Sequence, residues 1–220
     1  IWKGFEEEMI YYSSQVGLGD LMKNGCTTSF DHHYMFPNTV TGKLIDEEIR
    51  AAADLGIRFH ASRGSMSRSV KDGGLPPDCV VQKTSDILED SIRLIDQFHN
   101  PAPMSMTQIV LAPCSPFSVT DDLMRQTAAL ARSKKVRLHT HLGETIDEQE
   151  FTMATVGKRP LAYMESLDWV GSDVWFAHGI YFNDEELQLL AATKTGVAHC
   201  PISNMKLASG IARIPEMLAL

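Results

Sequence analysis

The sequence lacks any run of about 18 apolar residues, so nothing in it reads as a membrane-spanning helix. It lacks a Lys/Arg cluster as well. Twenty basic residues against 28 acidic ones give a net charge of −8, without the basic footprint that binding a nucleic-acid backbone requires. Cysteine is scarce: Cys26, Cys79, Cys114 and Cys200 lie far apart, with no CxxC among them. That spacing predicts reduced thiols and a cytoplasmic protein, and it excludes the zinc deaminases built on an HxE…PCxxC signature. No basic segment followed by an apolar one opens the chain, so no secretory signal is read. GxGxxG and GxxxxGK[S/T] are both missing, which removes the commonest nucleotide-binding open sheets. A GxSxG elbow is missing too, leaving a Ser/His or Cys/His nucleophile as a weak alternative.

What is present is an ordinary soluble composition, 44% apolar and 22% charged over 220 residues. The chain opens on IWKGFEEEMIYYSS as if a helix were already under way and closes on the amphipathic IPEMLAL. Both ends read as those of a piece of a longer protein.

Helical periodicity alternates with short apolar runs. A first helix is expected over 2–23, with Phe5, Met9, Tyr12, Val16 and Leu21 as its apolar stripe. Further helices are expected over 46–55, 84–99, the segment DDLMRQTAALARSKK with Thr120 as its N-cap, 148–156, 159–167 and DEELQLLAATK. Strands are expected at CTTSFDHH, GIRFHAS (56–62), QIVLAPC, VRLHTHL, DVWFAHG and GVAHCPI, with a long Gly/Pro/Ser-rich loop over 63–81. Strands alternating with helices predict βαβ units and a parallel sheet, either open or closed into a barrel. Nearly every predicted strand ends in polar, metal-capable residues, which favours a ring of groups around one barrel mouth over a single switch point.

In RLHTHLGETIDE, His139 and His141 are two apart and share one strand face. Glu144 follows His141 by three residues, just past the strand. A histidine ligand for a metal and a nearby carboxylate base together suit hydrolysis, since a metal-held water is acidic enough to react near neutral pH but still needs a proton acceptor. His178 in WFAHGIYF and His199 in VAHCPISN close the next two strands, and Asn204, Ser203, Ser209 and Gly210 follow in a polar loop. A backbone-bonded strand-end histidine remains the alternative for His178, and plain turn chemistry for Ser209 and Gly210. His32 and His33 alternate in direction, so at most one reaches the mouth directly. Cys114 ends a strand and is open to a purely buried role, while His60 and His99 read as structural.

FDHHYMFPN, FHASRGSMSRSVKDGGLPPD, LAPCSPFSVT, LHTHLGETIDE, FAHGIYF and HCPISNMKLASG together resemble the amidohydrolase superfamily along essentially the whole chain. The likeness is to its 8-oxoguanine deaminase and hydroxydechloroatrazine ethylaminohydrolase branch. It implies an α/β fold, a (β/α)8 barrel of the metal-dependent hydrolase kind, of which residues 1–220 would supply about strands two to seven. The first and eighth strands and a flanking β-sandwich would lie elsewhere. It implies one divalent metal, zinc or alternatively iron, with His141 as the only one of four ligands carried here. Glu144 is then the acid/base and His178 the group that stabilises developing charge, while His139 packs beneath them. Arg63, Cys114, His199 and Asn204 are expected to contact substrate, with a solvated loop arginine as the alternative for Arg63. Adenosine-type relatives carry a histidine where Cys114 stands, which implies a free base or small ring as substrate. The implied reaction is hydrolytic deamination of an oxidised purine such as 8-oxoguanine. A triazine or pterin aminohydrolase or chlorohydrolase, or an inactive ligand-binding remnant, stays open. The expected partner is a small molecule, in a homo-oligomer, with neither nucleic acid nor membrane.

Overall fold

The computed structural model describes residues 4–40 and 43–220. Strands β1 (Thr28–Asp31), β2 (Arg58–Ser65), β3 (Thr107–Pro113), β4 (Arg137–Leu142), β5 (Val174–His178) and β6 (Gly196–Ala198) form one sheet in chain order. Every neighbouring pair is parallel. A parallel pair cannot be closed by a hairpin, so each strand is followed by a helical crossover. Strand order never reverses, so there is no switch point of the open doubly wound kind, and the winding is that of an incomplete (β/α)8 barrel. Among the described residues, β1 and β6 each have one unpaired edge.

The central strands β2 to β5 are mostly buried, as a parallel sheet covered by helices demands, while β1 and β6 at the two edges are only half-buried or exposed. Ile109, Val110, Leu111 and Ala112 on β3 are each at most 1% exposed. Helices α1 (Glu7–Lys23), α2 (Leu44–Leu55), α3 (Thr84–Phe98) and α4 (Asp121–Lys134) pack outside the sheet. They are followed by α5 (Ile146–Val156), α6 (Pro160–Glu165), α7 (Asp184–Thr193), α8 (Pro201–Lys206) and α9 (Ile214–Ala219). Thr120 caps α4 as its sequence predicts, its hydroxyl accepting the Leu123 N–H. The largest fully buried side chain is Trp169, whose indole N–H donates to the Met124 carbonyl at 2.8 Å.

Three expectations change. Residues 2 and 3 of the predicted first helix lie outside the described residues, and α1 begins at Glu7. Its inner face is not the predicted stripe: Ile10 and Leu18 are buried, while Met9, Tyr12, Val16 and Leu21 are 43–74% exposed. Ser14 beside Ile10 and Leu18 is half-buried and Ser13 and Gly17 are exposed, so the buried face is too sparsely apolar to show in a hydrophobicity pattern. Second, β2 runs on through Arg63, Gly64 and Ser65, which the sequence places in a loop. Gly64 is what permits this, because a Cβ there would sit 2.2 Å from the His33 carbonyl oxygen. Third, the polar segment after β6 contains the short helix α8, opened by Pro201 at its first position.

Candidate active site

The C-terminal ends of β3 and β4 open onto a cavity of about 460 Å³. His141, Glu144, Glu148, Cys114, Tyr34 and Ser209 are among its lining residues. His141 is the second-last residue of β4, and the chain then turns at Gly143 with φ +66 to present Glu144. Leu142 is fully buried beneath this turn. The strand register brings the end of β3 alongside, so the Cys114 carbonyl accepts both the backbone N–H of His141 at 3.1 Å and its ring Nδ1–H at 2.7 Å. With Nδ1 committed as a donor, Nε2 carries the ring's lone pair. Burial holds the His141 pKa below the usual histidine range, so the ring stays neutral at pH 7.

Two other histidines are fixed in the same manner. His178 ends β5, is 5% exposed, and gives Nδ1–H to Asn204 Oδ1 on α8 at 2.7 Å. Its Nε2 faces Glu144 at 3.6 Å. Its φ of +75 is rare for a residue with a Cβ and costs on the order of 1–3 kcal/mol, strain of the kind that collects at functional sites. His32, just past β1, gives Nε2–H to the Ala112 carbonyl at 2.8 Å, and its buried Nδ1 has no partner among the described residues. The three rings stack with His141 in the middle, 4.6 Å from His32 and 5.4 Å from His178 between centroids, tilted by 18° and 24°.

The remaining predicted residues divide. His139 is 2% exposed, packs edge-on to Phe30, and points Nδ1 at the Trp175 carbonyl, so it fills the barrel interior beneath His141. Burial pushes its pKa down to about 3. Cys114 lines the cavity, with its thiol pushed up to about 11 by burial, which makes it a neutral wall. Asn204 is 1% exposed and sits behind His178 rather than facing the cavity.

Two predicted contacts are not brought to the site. Arg63 is packed outward: its Nε donates to Asp90 at 2.6 Å, Nη1 to the Gly64 carbonyl and Nη2 to Gln82, and its guanidinium lies 3.8 Å over the Phe36 ring. The extension of β2 turns it toward α3, where ion pairing satisfies it. His199 falls one residue beyond β6 and is exposed, because that strand ends at Ala198. His60 and His99 stay away from the cavity, as expected.

Sequence reasoning missed Glu148, Tyr34 and the stacking role of His32. Tyr34 stands edge-on to both His32 and His141, with centroids 5.1 and 5.7 Å away. Glu148 had a readable signal, the Thr-x-x-Glu pattern of Thr145 and Glu148 at the start of α5. A second group of possible ligands, Asp31, His33 and Glu48, converges beside β1. There His33 faces Glu48 Oε1 through Nδ1 and the Met35 carbonyl through Nε2. Both neighbours are acceptors, so this cluster holds a shared proton rather than a free ring lone pair.

The amidohydrolase family profile matches residues 2–220. The chain belongs to the amidohydrolase family. It is 46% identical over 219 residues to 8-oxoguanine deaminase of Pseudomonas aeruginosa, covering 100% of this chain and 49% of that relative. It is 41% identical to hydroxydechloroatrazine ethylaminohydrolase of Pseudomonas sp. strain ADP, covering 97% of this chain and 44% of that protein. Among solved structures, atrazine chlorohydrolase of Arthrobacter aurescens TC1, complexed with zinc, superposes with a TM-score of 0.93 at 33% identity, over 98% of this chain and 47% of its own. The chain thus spans about half the length of the relatives it matches.

Amidohydrolases bind a divalent metal, and the donor chemistry of His141 fits one. Its Nδ1–H is tied to a backbone carbonyl, and its neutral Nε2 is left free, the arrangement by which a second partner orients a metal-bound imidazole.

Proposed function

We propose that the protein carrying this chain hydrolytically deaminates an oxidised purine base of the 8-oxoguanine kind, in the cytoplasm and as a homo-oligomer. The observation that carries this reading is the joining of His141, Glu144 and His178 at one barrel mouth. His141 Nε2 would be one ligand of a zinc ion, and the remaining ligands and barrel strands would come from chain outside these 220 residues. When bound, that ion supplies an activated water nucleophile and charge stabilisation.

The residues present here carry the proton traffic and the electrostatics. Glu144 has one oxygen within 3.6 Å of His178 Nε2 and the other 3.5 Å from the Ser209 hydroxyl. It is therefore held between His178 and Ser209. It accepts a proton as the nucleophile attacks the ring carbon and delivers it to the ring nitrogen; it then takes the proton of the newly added hydroxyl and delivers it to the amino group, so that the C–N bond breaks, ammonia leaves and the carbonyl forms. His178 is fixed by Asn204 and needs no reorganisation as charge develops, which is what makes such groups effective. Tyr34, Phe117 and Leu75 supply flat and apolar walls suited to a planar heterocycle. The neutral Cys114 leaves room where a nucleoside-selective histidine would stand.

A second reading, a triazine or pterin aminohydrolase, is favoured by the 41% identity to the ethylaminohydrolase and 36% identity to an isoxanthopterin deaminase. Ammonia release by the zinc-loaded, full-length protein from 8-oxoguanine, isoxanthopterin and an aminotriazine separates the two. Preferred turnover of 8-oxoguanine is expected, and Glu144→Gln should lower it roughly 10²–10⁴-fold. Absence of ammonia from every one of these substrates would sink the proposal.

A further inference from the structure

Glu148 is a buried carboxyl group without a cation beside it. It is 2% exposed, and no Lys or Arg among the described residues pairs with it. Burial pushes its pKa up to about 8. A buried group this costly needs compensation from hydrogen bonds. Its position in the chain explains which ones it makes. Thr145 caps α5, its hydroxyl accepting the Glu148 N–H at 3.4 Å. In a capping box the glutamate reaches back to the N–H of the cap residue itself. Here the side chain reaches further. Oε1 accepts the Gly143 N–H at 2.8 Å, and Oε2 accepts the Glu144 N–H at 3.4 Å.

Those two amides belong to the turn that separates His141 from Glu144. The turn has little other freedom. Gly143 is at φ +66, and the Phe182 ring lies 3.0 Å from where a Cβ would be. The Gly143 carbonyl accepts the N–H groups of Ile180 and Tyr181, just past β5, at 2.8 and 3.0 Å. One face of the turn is thus tied to the strand end that carries His178, and its donors are tied to Glu148.

We infer that Glu148 is a positioning residue, which sets the Glu144 carboxylate against His178 by holding the Gly143 and Glu144 amides. This role rests on the deaminase reading of the site. Glu148 itself does not touch the reacting atoms; it acts through the peptide groups of the turn.

The test compares Glu148→Gln, Glu148→Asp and Glu148→Leu in the full-length, zinc-loaded protein. Glu148→Leu should lower kcat roughly 10²-fold with KM nearly unchanged, the effect of misplacing a catalytic group by about 1 Å. Glu148→Asp keeps the carboxyl group but is one methylene too short for Gly143, so it should also lose kcat. Glu148→Gln keeps a carbonyl oxygen for Gly143 and should restore most of it. Two readouts need no substrate: hydrogen exchange at the Gly143 amide and the 15N shift of the His178 ring. Exchange should quicken about tenfold or more in the Leu and Asp variants, and the ring signal should move, as local protection is lost. If the Leu variant does not fold, the Gln–Asp contrast decides. Wild-type kcat in a folded Leu or Asp variant, with Gly143 exchange and the His178 shift also unmoved, overturns the role. If the wild-type protein releases no ammonia, the deaminase reading fails alone, and exchange and ring shift still decide whether Glu148 holds the turn.

Discussion

Gly64→Ala is a one-carbon change whose cost follows from three distances. The added Cβ would lie 2.2 Å from the His33 carbonyl oxygen and 2.8 Å from both His33 C and Tyr34 Cα. All three are backbone atoms, so no side chain can swing aside. Gly64 does not have a left-handed φ, so the penalty is collision rather than torsional strain. Relieving it requires the segment after β1 to move away from β2 by about 1 Å, as van der Waals contact between carbons and oxygens begins well above 3 Å. Such overpacking costs about 1–3 kcal/mol. The move also stretches the Gly64 N–H to His33 carbonyl bond of 2.9 Å and the His33 N–H to Ser62 Oγ bond of 2.9 Å. Leaving one such buried group unpaired adds about 1–3 kcal/mol. A loss of about 2–6 kcal/mol is therefore expected, read as a lowered urea midpoint at unchanged m-value. The displaced segment carries His32 and Tyr34, so the 15N shift of the His141 ring should move as well. Gly157→Ala is the control: φ is +67 with nothing within 4 Å, so only the left-handed penalty of about 1–2 kcal/mol applies. A Gly64→Ala loss below about 1 kcal/mol, or one no greater than that of Gly157→Ala, refutes the collision argument.

Two further outcomes follow from the site. Asn204→Ala removes the acceptor for His178 Nδ1–H. It should cost about 1–3 kcal/mol of stability; the same variant should mix the two ring tautomers, read directly from the 15N spectrum of His178, whose pattern would otherwise stay that of an Nδ1–H ring. The second outcome concerns pH. Glu148, at about 8 against an ordinary 4.5, keeps in the folded state a proton that the unfolded chain releases. Its contribution is therefore fullest below pH 4.5 and declines as pH rises to about 8, by at most ~1.4 kcal/mol per unit. Urea midpoints of the wild type and Glu148→Gln at pH 5 and pH 8 should converge or cross as the wild type weakens, and parallel lines would show that Glu148 is ordinary.

The parallel sheet and its order were legible because the signal is periodic and repeated: each of the first five apolar runs is followed by a helix of ten or more residues. His141, Glu144 and His178 were legible because they stand at strand ends, where barrel chemistry collects. Arg63 was misplaced for a reason that no periodicity carries. Gly64 lets β2 continue past a stretch rich in Gly and Ser, and the continued strand turns the guanidinium outward to Asp90. His199 was misplaced because β6 is only three residues long, so the residue after it leaves the barrel wall. The outward stripe of α1 was chosen because its apolar residues fit helical spacing, whereas the buried face carries only Ile10 and Leu18 as buried side chains.

The protonation pattern of the site, by contrast, lies in no single segment. His141 becomes an Nδ1–H tautomer because the Cys114 carbonyl reaches it, and this depends on how far the end of β3 extends beside β4. His32 is set by Ala112, two residues earlier on the same strand. His178 is set by Asn204, from a helix that follows the next strand. Each tautomer is thus written by another segment of the barrel wall, and a one-residue slip of β3 would exchange carbonyl for side chain at two of the three rings. Sheet register is therefore the variable on which the lone pairs of His141 and His32 depend. For this reason the site requires its flanking strands even where they contribute no group to the cavity. Loosening the β2–β3 end should degrade His141 and His32 together, before the fold itself gives way.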